Sequence, residues 1–389
     1  MTVRIPLSAP DITEAEIEAV TAALRTPRLS LGPELESFER ALADYHAVDD
    51  AVAVSSGTAG LHLALLVLGV GKGDEVIVPS FAFVAVANAV FQAHATPVFT
   101  EIDPVTLNLD PACVERAITP RTRVILVVHT FGVPAEMDAL QTIARQRGLS
   151  LIEDACEAAG ARFGDPPMDR RAGSLGDIAV LGFYPNKQLT TGEGGAVLCS
   201  NAAYARRLRS LRNQGRSAAC DPPAAEVETG SRSSGWLDHA ELGYNYRLSE
   251  MACALGRVQL SRLDQMLALR EAAAKRYDAL LTEVTGIERP PLKFPRRAIS
   301  WFIYAIRLPE HADRGRVQSK LANRGIATGC YFPPIHLQPA WRECSSAHVS
   351  LPVTEAIAPR MLALPFFNRI EECQQQQVTD ALKRALFER

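Results

Sequence analysis

The feature that most constrains this chain of 389 residues is an alternation of short apolar runs with helical segments, which begins at residue 51. The runs have the length of β-strands and are far shorter than a membrane span. They cover residues 51–54, 75–78, 97–102, 124–129, 149–154, 177–183 and 195–199. Predicted helices lie between most of them, near 58–69, 84–93, 111–117, 135–147 and 202–213. This alternation predicts an α/β fold with a mostly parallel sheet flanked by helices.

The remaining segments complete the predicted organisation. Two helices, near 12–25 and 33–46, precede the first strand, and the polar, Pro-, Gly- and Ser-rich residues 216–235 are typical of a surface loop. A helical stretch over about 248–284 then bridges to the C-terminal region. Because the chain is too long for one ordinary core, we predict a large domain over 1–250 and a smaller α/β domain over 251–389.

Composition excludes several classes of protein. The net charge is −3 with no basic cluster, which argues against nucleic acid or an anionic membrane as a partner. The first residues contain no apolar run typical of a signal peptide, so we expect the protein in the cytoplasm. The eight cysteines form no C-x-x-C pair, so we expect neither a metal site nor a disulfide framework.

Two motifs stand where strands are predicted to end. Ser55-Ser56-Gly57-Thr58-Ala59 opens a helix, and its small residues let backbone N–H groups approach an anion that the helix dipole also favours. Simple helix capping by Ser or Thr is the alternative. Asp154, in Ile152-Glu153-Asp154, ends an apolar strand where α/β folds place ligands. A carboxylate there suits a protonated pyridine nitrogen, although Asp is also a common helix cap.

A third motif holds one of the chain's six lysines. Lys187 lies within GFYPNKQLTTGEGG, between two predicted strands, and such a lysine suits covalent binding of an aldehyde. A solvated surface lysine is the alternative, but charged surface loops rarely have this Gly- and Thr-rich composition. A fourth motif, GYNYRL over 243–248, offers an amide, two phenols and a guanidinium, which are groups that bind phosphate or carboxylate.

Together these motifs resemble the DegT/DnrJ/EryC1/StrS family of sugar aminotransferases, which have the type I aminotransferase fold. The resemblance extends over nearly the whole chain, through PLSAPDIT, SSGTAGLHLAL, DEVIVPSFAFVA, EDACEAAGA, YPNKQLTTGEGG, GYNYRLSE, YFPPIHLQP and ALPF. It implies that pyridoxal 5'-phosphate is the cofactor and that the large domain binds it.

The resemblance implies a role for each matching residue around the cofactor. Lys187 would bind the cofactor covalently and, once released, move the substrate's proton. Asp154 would pair with the pyridine nitrogen, and Phe83 would stack on the ring. Gly57 and Thr58 would contribute to the phosphate cup.

Further positions are matched near the phenolic oxygen, the phosphate and the substrate. Glu157 stands where the family usually has Gln or His near the phenolic oxygen. Asn245 would reach the phosphate from the neighbouring subunit, which implies a homodimer with shared active sites; a helix cap is its alternative role. Arg247, His336 and Tyr331 would bind substrate, with Arg247 placed to receive the amino donor's carboxylate.

This chain departs from the family pattern at two positions. Gly182 replaces a Ser that contacts the phosphate in many members, so the number of hydrogen bonds to the phosphate is open, although Ser56 and Thr58 offer hydroxyl groups. Glu157 places a carboxyl group where a neutral side chain is usual. Two states of this carboxyl stay open, since it can be protonated or can hold a water molecule.

The resemblance implies transfer of an amino group from L-glutamate or L-glutamine to a nucleotide-linked keto-deoxyhexose in amino-sugar biosynthesis. Two alternatives stay open, a keto-cyclitol aminotransferase and a non-catalytic regulatory protein that retains the fold. Dehydrases of this fold replace the lysine with histidine, so Lys187 argues against them. A nicotinamide-dependent oxidoreductase is disfavoured because no G-x-G-x-x-G follows the first strand.

Overall fold

Twelve strands and twelve helices of the fold have defined bounds in a computed structural model, which describes residues 4–217 and 238–387. The strands are β1 (Asp50–Val54), β2 (Glu75–Pro79), β3 (Thr96–Thr100), β4 (Thr122–Val128), β5 (Ser150–Asp154), β6 (Arg162–Phe163), β7 (Arg170–Arg171), β8 (Ile178–Gly182), β9 (Gly195–Cys199), β10 (Arg297–Ala298), β11 (Tyr304–Arg307) and β12 (Met361–Leu364). The helices are α1 (Glu14–Leu24), α2 (Pro33–His46), α3 (Gly57–Val67), α4 (Ala85–Gln92), α5 (Pro111–Ala117), α6 (Met137–Arg147), α7 (Ala202–Arg212), α8 (Glu250–Ser261), α9 (Leu263–Leu281), α10 (Arg314–Ala322), α11 (Pro352–Ile357) and α12 (Glu372–Phe387).

The main sheet has seven strands in the order β1-β9-β8-β5-β4-β2-β3. Strands β8, β5, β4, β2 and β3 pair in parallel, whereas β9 runs antiparallel to both of its neighbours. The seven strands predicted from the sequence are confirmed, and their ends differ from the observed ones by at most two residues. The mostly parallel α/β sheet is therefore also confirmed.

Side chains of the central strands pack into different cores on the two faces of the sheet. On β2, Val76 and Val78 join the core formed with α3, α4 and α7, while Ile77 between them joins the core formed with α6. On β4, Leu126 and Val127 divide in the same way. Because successive side chains of a strand point to opposite faces, continuous apolar runs are what a sheet covered on both sides requires.

The C-terminal region has its own small sheet, in which β11 pairs antiparallel with β12. Its core joins residues of α9, α10 and α12 and also contains Ile5 from the chain's beginning. The single helix predicted over about 248–284 was wrong in one respect, because the chain breaks at Arg262 into α8 and α9. Gln259 and Arg262 there bind Glu16 of α1, which ties the junction to the N-terminal segment.

Two sequence predictions lie partly or wholly beyond these observations. The predicted surface loop 216–235 lies outside the described residues except for 216–217. The domain boundary near residue 250 stays a prediction; it coincides with the start of α8, which packs against α1 and α2. In residues 4–217 and 238–387, no helix is both long and apolar enough to cross a membrane.

Candidate active site

A cavity of about 420 Å³ lies at the edge of the main sheet where the parallel strands end. Its walls come from the segments that follow β1, β2, β5 and β8 and from a segment of the C-terminal region, over 331–332. Nine of the residues singled out in the sequence line it: Ser56, Gly57, Thr58, Phe83, Asp154, Glu157, Gly182, Lys187 and Tyr331. Carboxyl ends of parallel strands meet at one edge, which is why motifs distant in sequence converge there.

Lys187 reaches this cavity from a tight turn. Its N–H donates to the carbonyl of Tyr184 at 2.9 Å, with Pro185 and Asn186 at the centre of the turn. The amine lies 3.6 Å from a carboxylate oxygen of Glu157 and 3.9 Å from the ring centre of Phe302. The lysine therefore faces the cavity with its position defined by a turn, an acid and an aromatic ring.

Asp154 ends β5 with its carboxylate at the cavity, and one oxygen accepts the N–H of Cys156 at 3.0 Å. Its neighbour Glu153 points to the opposite face of the sheet, where the buried His129 lies 2.8 Å away. Alternation along a strand thus separates two adjacent acids. Of these two adjacent acids, Asp154 is the one available to a ligand in the cavity.

Glu157 is buried beside Lys187. Its second carboxylate oxygen accepts the N–H of Phe131 at 3.0 Å. Burial raises the pKa of Glu157 above its ordinary value, with Asp154 acting in the same direction, while Lys187 and the Phe131 N–H oppose the shift. Burial of a carboxyl disfavours its charged form, so this side chain binds protons more readily than an exposed glutamate.

The wall beneath Lys187 is shaped for an anion. Ser56 caps α3, since its hydroxyl accepts the N–H of Ala59 at 3.0 Å, and this confirms the capping interpretation for that residue. Gly57 opens the helix within the cavity lining and Gly182 lies beside it. The first turn of α3 and the positive end of its dipole lie here, and a helix N-terminus favours a phosphate.

The mouth of the cavity is aromatic. Phe83 and Tyr184 are exposed over 61% and 53% of their surface, and Phe332 packs 6.5 Å from Phe83 between ring centres. Tyr331 lines the cavity next to Phe332, and burial raises the pKa of its phenol. Flat apolar faces with phenol groups beside them suit a ring-shaped polar ligand.

Asn245 and Arg247 do not line the cavity of their own chain. The side chain of Asn245 is exposed, and its backbone bridges to Asn213. Arg247 donates to the Asn213 carboxamide oxygen at 2.8 Å. The roles predicted for these two residues stay predictions.

His336 also lies outside this cavity lining. It is only 3% exposed, with one ring nitrogen 2.6 Å from the Ser80 hydroxyl and the other 3.3 Å from Glu355. In the described chain it holds the segment that carries Tyr331 and Phe332 against the end of β2. Contact of His336 with substrate stays a prediction to which the single chain adds no support.

Sequence reasoning missed several residues of the lining, namely Cys156, Tyr184, Asn186, Glu193, Phe302 and Phe332. Five of them lie within the motifs already quoted, so a closer inspection of EDACE, of the Lys187 segment and of YFPP had the signal to find them. Phe302 had no such signal, because only folding brings it to Lys187.

The residues present fit pyridoxal 5'-phosphate. The cavity offers an amine to bind an aldehyde, a carboxylate to face a protonated ring nitrogen and a helix N-terminus to bind a phosphate. Among the described residues, no group of three or more His, Cys, Asp or Glu side chains is placed to hold a metal ion. Fold and site together define a pyridoxal-phosphate-dependent aminotransferase.

Comparison with known proteins gives the family. Residues 10–383 match the model of the DegT/DnrJ/EryC1/StrS aminotransferase family, and the chain belongs to this family. A dTDP-3-amino-3,4,6-trideoxy-alpha-D-glucose transaminase of Streptomyces venezuelae is 40% identical over 94% of this chain and 90% of its own length. The GDP-perosamine synthase of Caulobacter vibrioides is 36% identical over 98% of each chain.

A third relative is named as a sensory protein. The erythromycin biosynthesis sensory transduction protein EryC1 of Saccharopolyspora erythraea is 39% identical over 90% of each chain. Among solved structures, that of DesV from S. venezuelae matches with a TM-score of 0.86 and 39% identity over 100% of both chains. The type I aminotransferase fold inferred from the sequence is thereby confirmed, as is dependence on pyridoxal phosphate.

Proposed function

We propose that the protein transfers an amino group from L-glutamate, or L-glutamine, to a nucleotide-linked keto-deoxyhexose in amino-sugar biosynthesis. The observation that carries this proposal is the convergence of Lys187, Asp154 and Glu157 on one cavity with an aromatic mouth. The names of two relatives support the acceptor class, since one is a transaminase of a dTDP-linked sugar and the other is a GDP-perosamine synthase.

Each residue of the proposed site has a task that follows from its position. When bound, pyridoxal phosphate supplies an electron sink for the charge left when a proton leaves the carbon next to nitrogen. The Asp154 carboxylate would keep the ring nitrogen of the bound cofactor protonated. The Nζ of Lys187 takes the proton that leaves the carbon next to nitrogen, as a general base, and then returns a proton as a general acid. Glu157 orients this amine across 3.6 Å.

The aromatic mouth supports a sugar ring as the acceptor. Phe83 and Tyr184 expose flat faces at the entrance, and Tyr331 adds a phenol deeper in the cavity. Aromatic faces pack against the C–H faces of ring ligands, while phenol groups hydrogen-bond to their hydroxyls. A nucleotide would extend from the ring toward solvent.

We also propose a homodimer with shared active sites. Asn245 and Arg247 belong to one motif and yet lie outside the cavity of their own chain, Asn245 on its surface. A two-fold axis would place this motif of each subunit at the partner's cavity and create two composite sites. The cytoplasm is the proposed compartment, and the free thiols of all seven cysteines in the described part of the chain support a reducing environment.

The function is tested by feeding purified enzyme nucleotide-linked 4-keto-6-deoxy and 3-keto hexoses with L-glutamate and identifying products by mass spectrometry. We expect an amino sugar and 2-oxoglutarate in equal amounts, and neither from Lys187→Ala. Amination of a keto-inositol alone would overturn the nucleotide-sugar proposal in favour of a cyclitol acceptor. Absence of any glutamate-dependent change in the bound cofactor's absorbance would favour a regulatory protein.

Shared sites are tested by mixing inactive subunits. Lys187→Ala and Asn245→Asp homodimers should each have little activity, the second because a carboxylate repels phosphate. A mixed dimer would have one site with both defects and one with neither, so activity should partly return after subunit exchange. No recovery despite confirmed exchange would place Asn245 in its own subunit's site or outside the site altogether.

A further inference from the structure

The carboxamide of Asn186 has an oxygen that is buried and finds no hydrogen-bond donor among the described residues. This residue lines the cavity and directly precedes Lys187 in the turn that presents the lysine. Buried acceptors in folded proteins nearly always have a partner, and a missing one costs the group its full desolvation penalty. A donor is therefore expected from whatever fills the cavity.

The Asn186 side chain is a neighbour of the Tyr331 phenol. Burial raises the pKa of this phenol, and the Asn186 side chain opposes that shift by a smaller amount. With its pKa raised overall, Tyr331 keeps its proton and can donate it to a ligand. The two side chains thus present an acceptor and a donor side by side, next to the lysine.

The chemistry of the groups that enter the site indicates which of them supplies the missing hydrogen-bond donor. Phosphate, a phenolate oxygen and the carboxylates of glutamate accept hydrogen bonds and cannot satisfy a carboxamide oxygen. The side-chain amide of glutamine can donate to it, and the donor half of the reaction in the test below distinguishes that case. The α-amino group of the donor is the reacting group itself. A sugar hydroxyl both donates and accepts, which matches an oxygen from Asn186 and a phenol from Tyr331.

We propose that Asn186 is a specificity-determining residue that accepts a hydrogen bond from a hydroxyl of the acceptor substrate, on a carbon next to the carbonyl. We place that hydroxyl next to the carbonyl because Asn186 and Lys187 line the same cavity and Lys187 must reach the carbon that is aminated. This inference rests on the proposed function for its acceptor class. Tyr331 is the second member of the pair, and its phenol donates a hydrogen bond to an oxygen on the same side of the substrate.

The test measures the amino-donor half and the acceptor half of the reaction separately in three variants. Asn186→Leu is close in size and apolar, and Asn186→Asp keeps a hydrogen-bond acceptor. Asn323→Leu is the matched control, the same change at an exposed residue outside the cavity. Absorbance of the bound cofactor follows each half. We expect Asn186→Leu to lower kcat/KM of the acceptor half about 10- to 100-fold. The donor half, with glutamate or glutamine, should change less than about 3-fold, and Asn323→Leu should resemble the wild type.

A second substrate makes the result specific. Removal of the hydroxyl beside the carbonyl, as in the 3-deoxy analogue of a nucleotide-linked 4-keto-6-deoxyhexose, should slow the wild type and leave Asn186→Leu nearly unchanged. Asn186→Asp should recover part of the discrimination, and this keeps the test valid if the leucine variant folds poorly. Equal losses in both halves would show that Asn186 only positions Lys187, and no loss would show that its oxygen has another partner.

Failure of this inference is distinguishable from failure of the proposed function. If the wild type aminates a keto-inositol and no nucleotide sugar, the proposed function is wrong, while the inositol, which has hydroxyls beside its carbonyl, still tests Asn186. If the wild type prefers acceptors without such a hydroxyl, the inference is wrong even though the protein aminates sugars.

Discussion

The side chain of Cys156 fills the space beside Gly182 in the wall of the cavity, at the position where the family pattern implied a serine. A β-carbon added at Gly182 would lie 3.1 Å from both the Cβ and the Sγ of Cys156. One added at Gly57 would lie 2.8 Å from the same sulfur. The thiol therefore occupies the room that a serine side chain at position 182 would need.

A double-mutant cycle measures this coupling. Gly182→Ser alone should lower the free energy of unfolding of the cofactor-free protein by about 1–3 kcal/mol, because the added Cβ would lie closer to Cys156 than an ordinary van der Waals contact allows. Cys156→Ala alone should cost about 1 kcal/mol through a small cavity. In the double variant the new side chain enters the space the sulfur left, so its loss should be smaller than the sum by about 1–2 kcal/mol.

The assay is urea unfolding of the cofactor-free protein, at one fixed protein concentration and followed by circular dichroism. Gly71→Ser is the matched control, since a β-carbon there meets no atom within 4 Å, and it should change stability by less than about 0.5 kcal/mol. The double variant should also bind pyridoxal phosphate more tightly than Gly182→Ser, because its hydroxyl gains room beside Gly57. Additivity of the two single changes within about 0.5 kcal/mol would refute the shared-space argument.

Two further predictions concern His46 and Glu153, which are buried outside the cavity. Burial lowers the pKa of His46 from its ordinary 6.5 to about 4, so the unfolded chain binds a proton before the folded one does. The stability that this neutral histidine contributes is present above pH 6.5 and is lost as the pH falls to about 4, by about 3 kcal/mol. His46→Gln should therefore reduce the loss of unfolding free energy between these pH values, measured by urea unfolding. An unchanged pH dependence would contradict the role given to His46. Glu153 accepts hydrogen bonds from the N–H groups of Gly173 and Leu175, at 2.8 and 2.6 Å, and from His129. Glu153→Gln would place an NH₂ group against these donors and should lower the free energy of unfolding by about 2–4 kcal/mol at neutral pH. A loss below about 1 kcal/mol would contradict this prediction.

Local pattern was sufficient for the main sheet and for much of the cavity. The central strands are largely apolar runs, and a polar or small residue ends two of them, Asp154 of β5 and Gly182 of β8. A strand buried on both faces cannot contain interior polar groups without partners, so its ends are visible in the sequence. Because parallel strands end at one edge, the same pattern predicted that these residues would meet.

Groups brought together by packing were not visible in this way. The ring of Phe302 comes to Lys187 from more than a hundred residues away, and nothing in its local sequence distinguishes it from other core aromatics. His336 was predicted at the substrate, yet Ser80 and Glu355 enclose it in the described chain. The residues next to a histidine in the sequence do not reveal whether its imidazole is buried or exposed in the fold.

The sequence alone therefore determined the α/β class and the strand order along the chain, and it predicted that Lys187 and Asp154 form a pair in one site, because these depend on periodicity and on residue chemistry. Tertiary structure decided which neighbours act on that pair. Glu157, Asn186 and Cys156 acquire their roles from burial and from distances of a few ångströms to segments remote in the chain. Hydrogen bonding and desolvation depend on such distances, and a sequence does not contain them until the chain is folded.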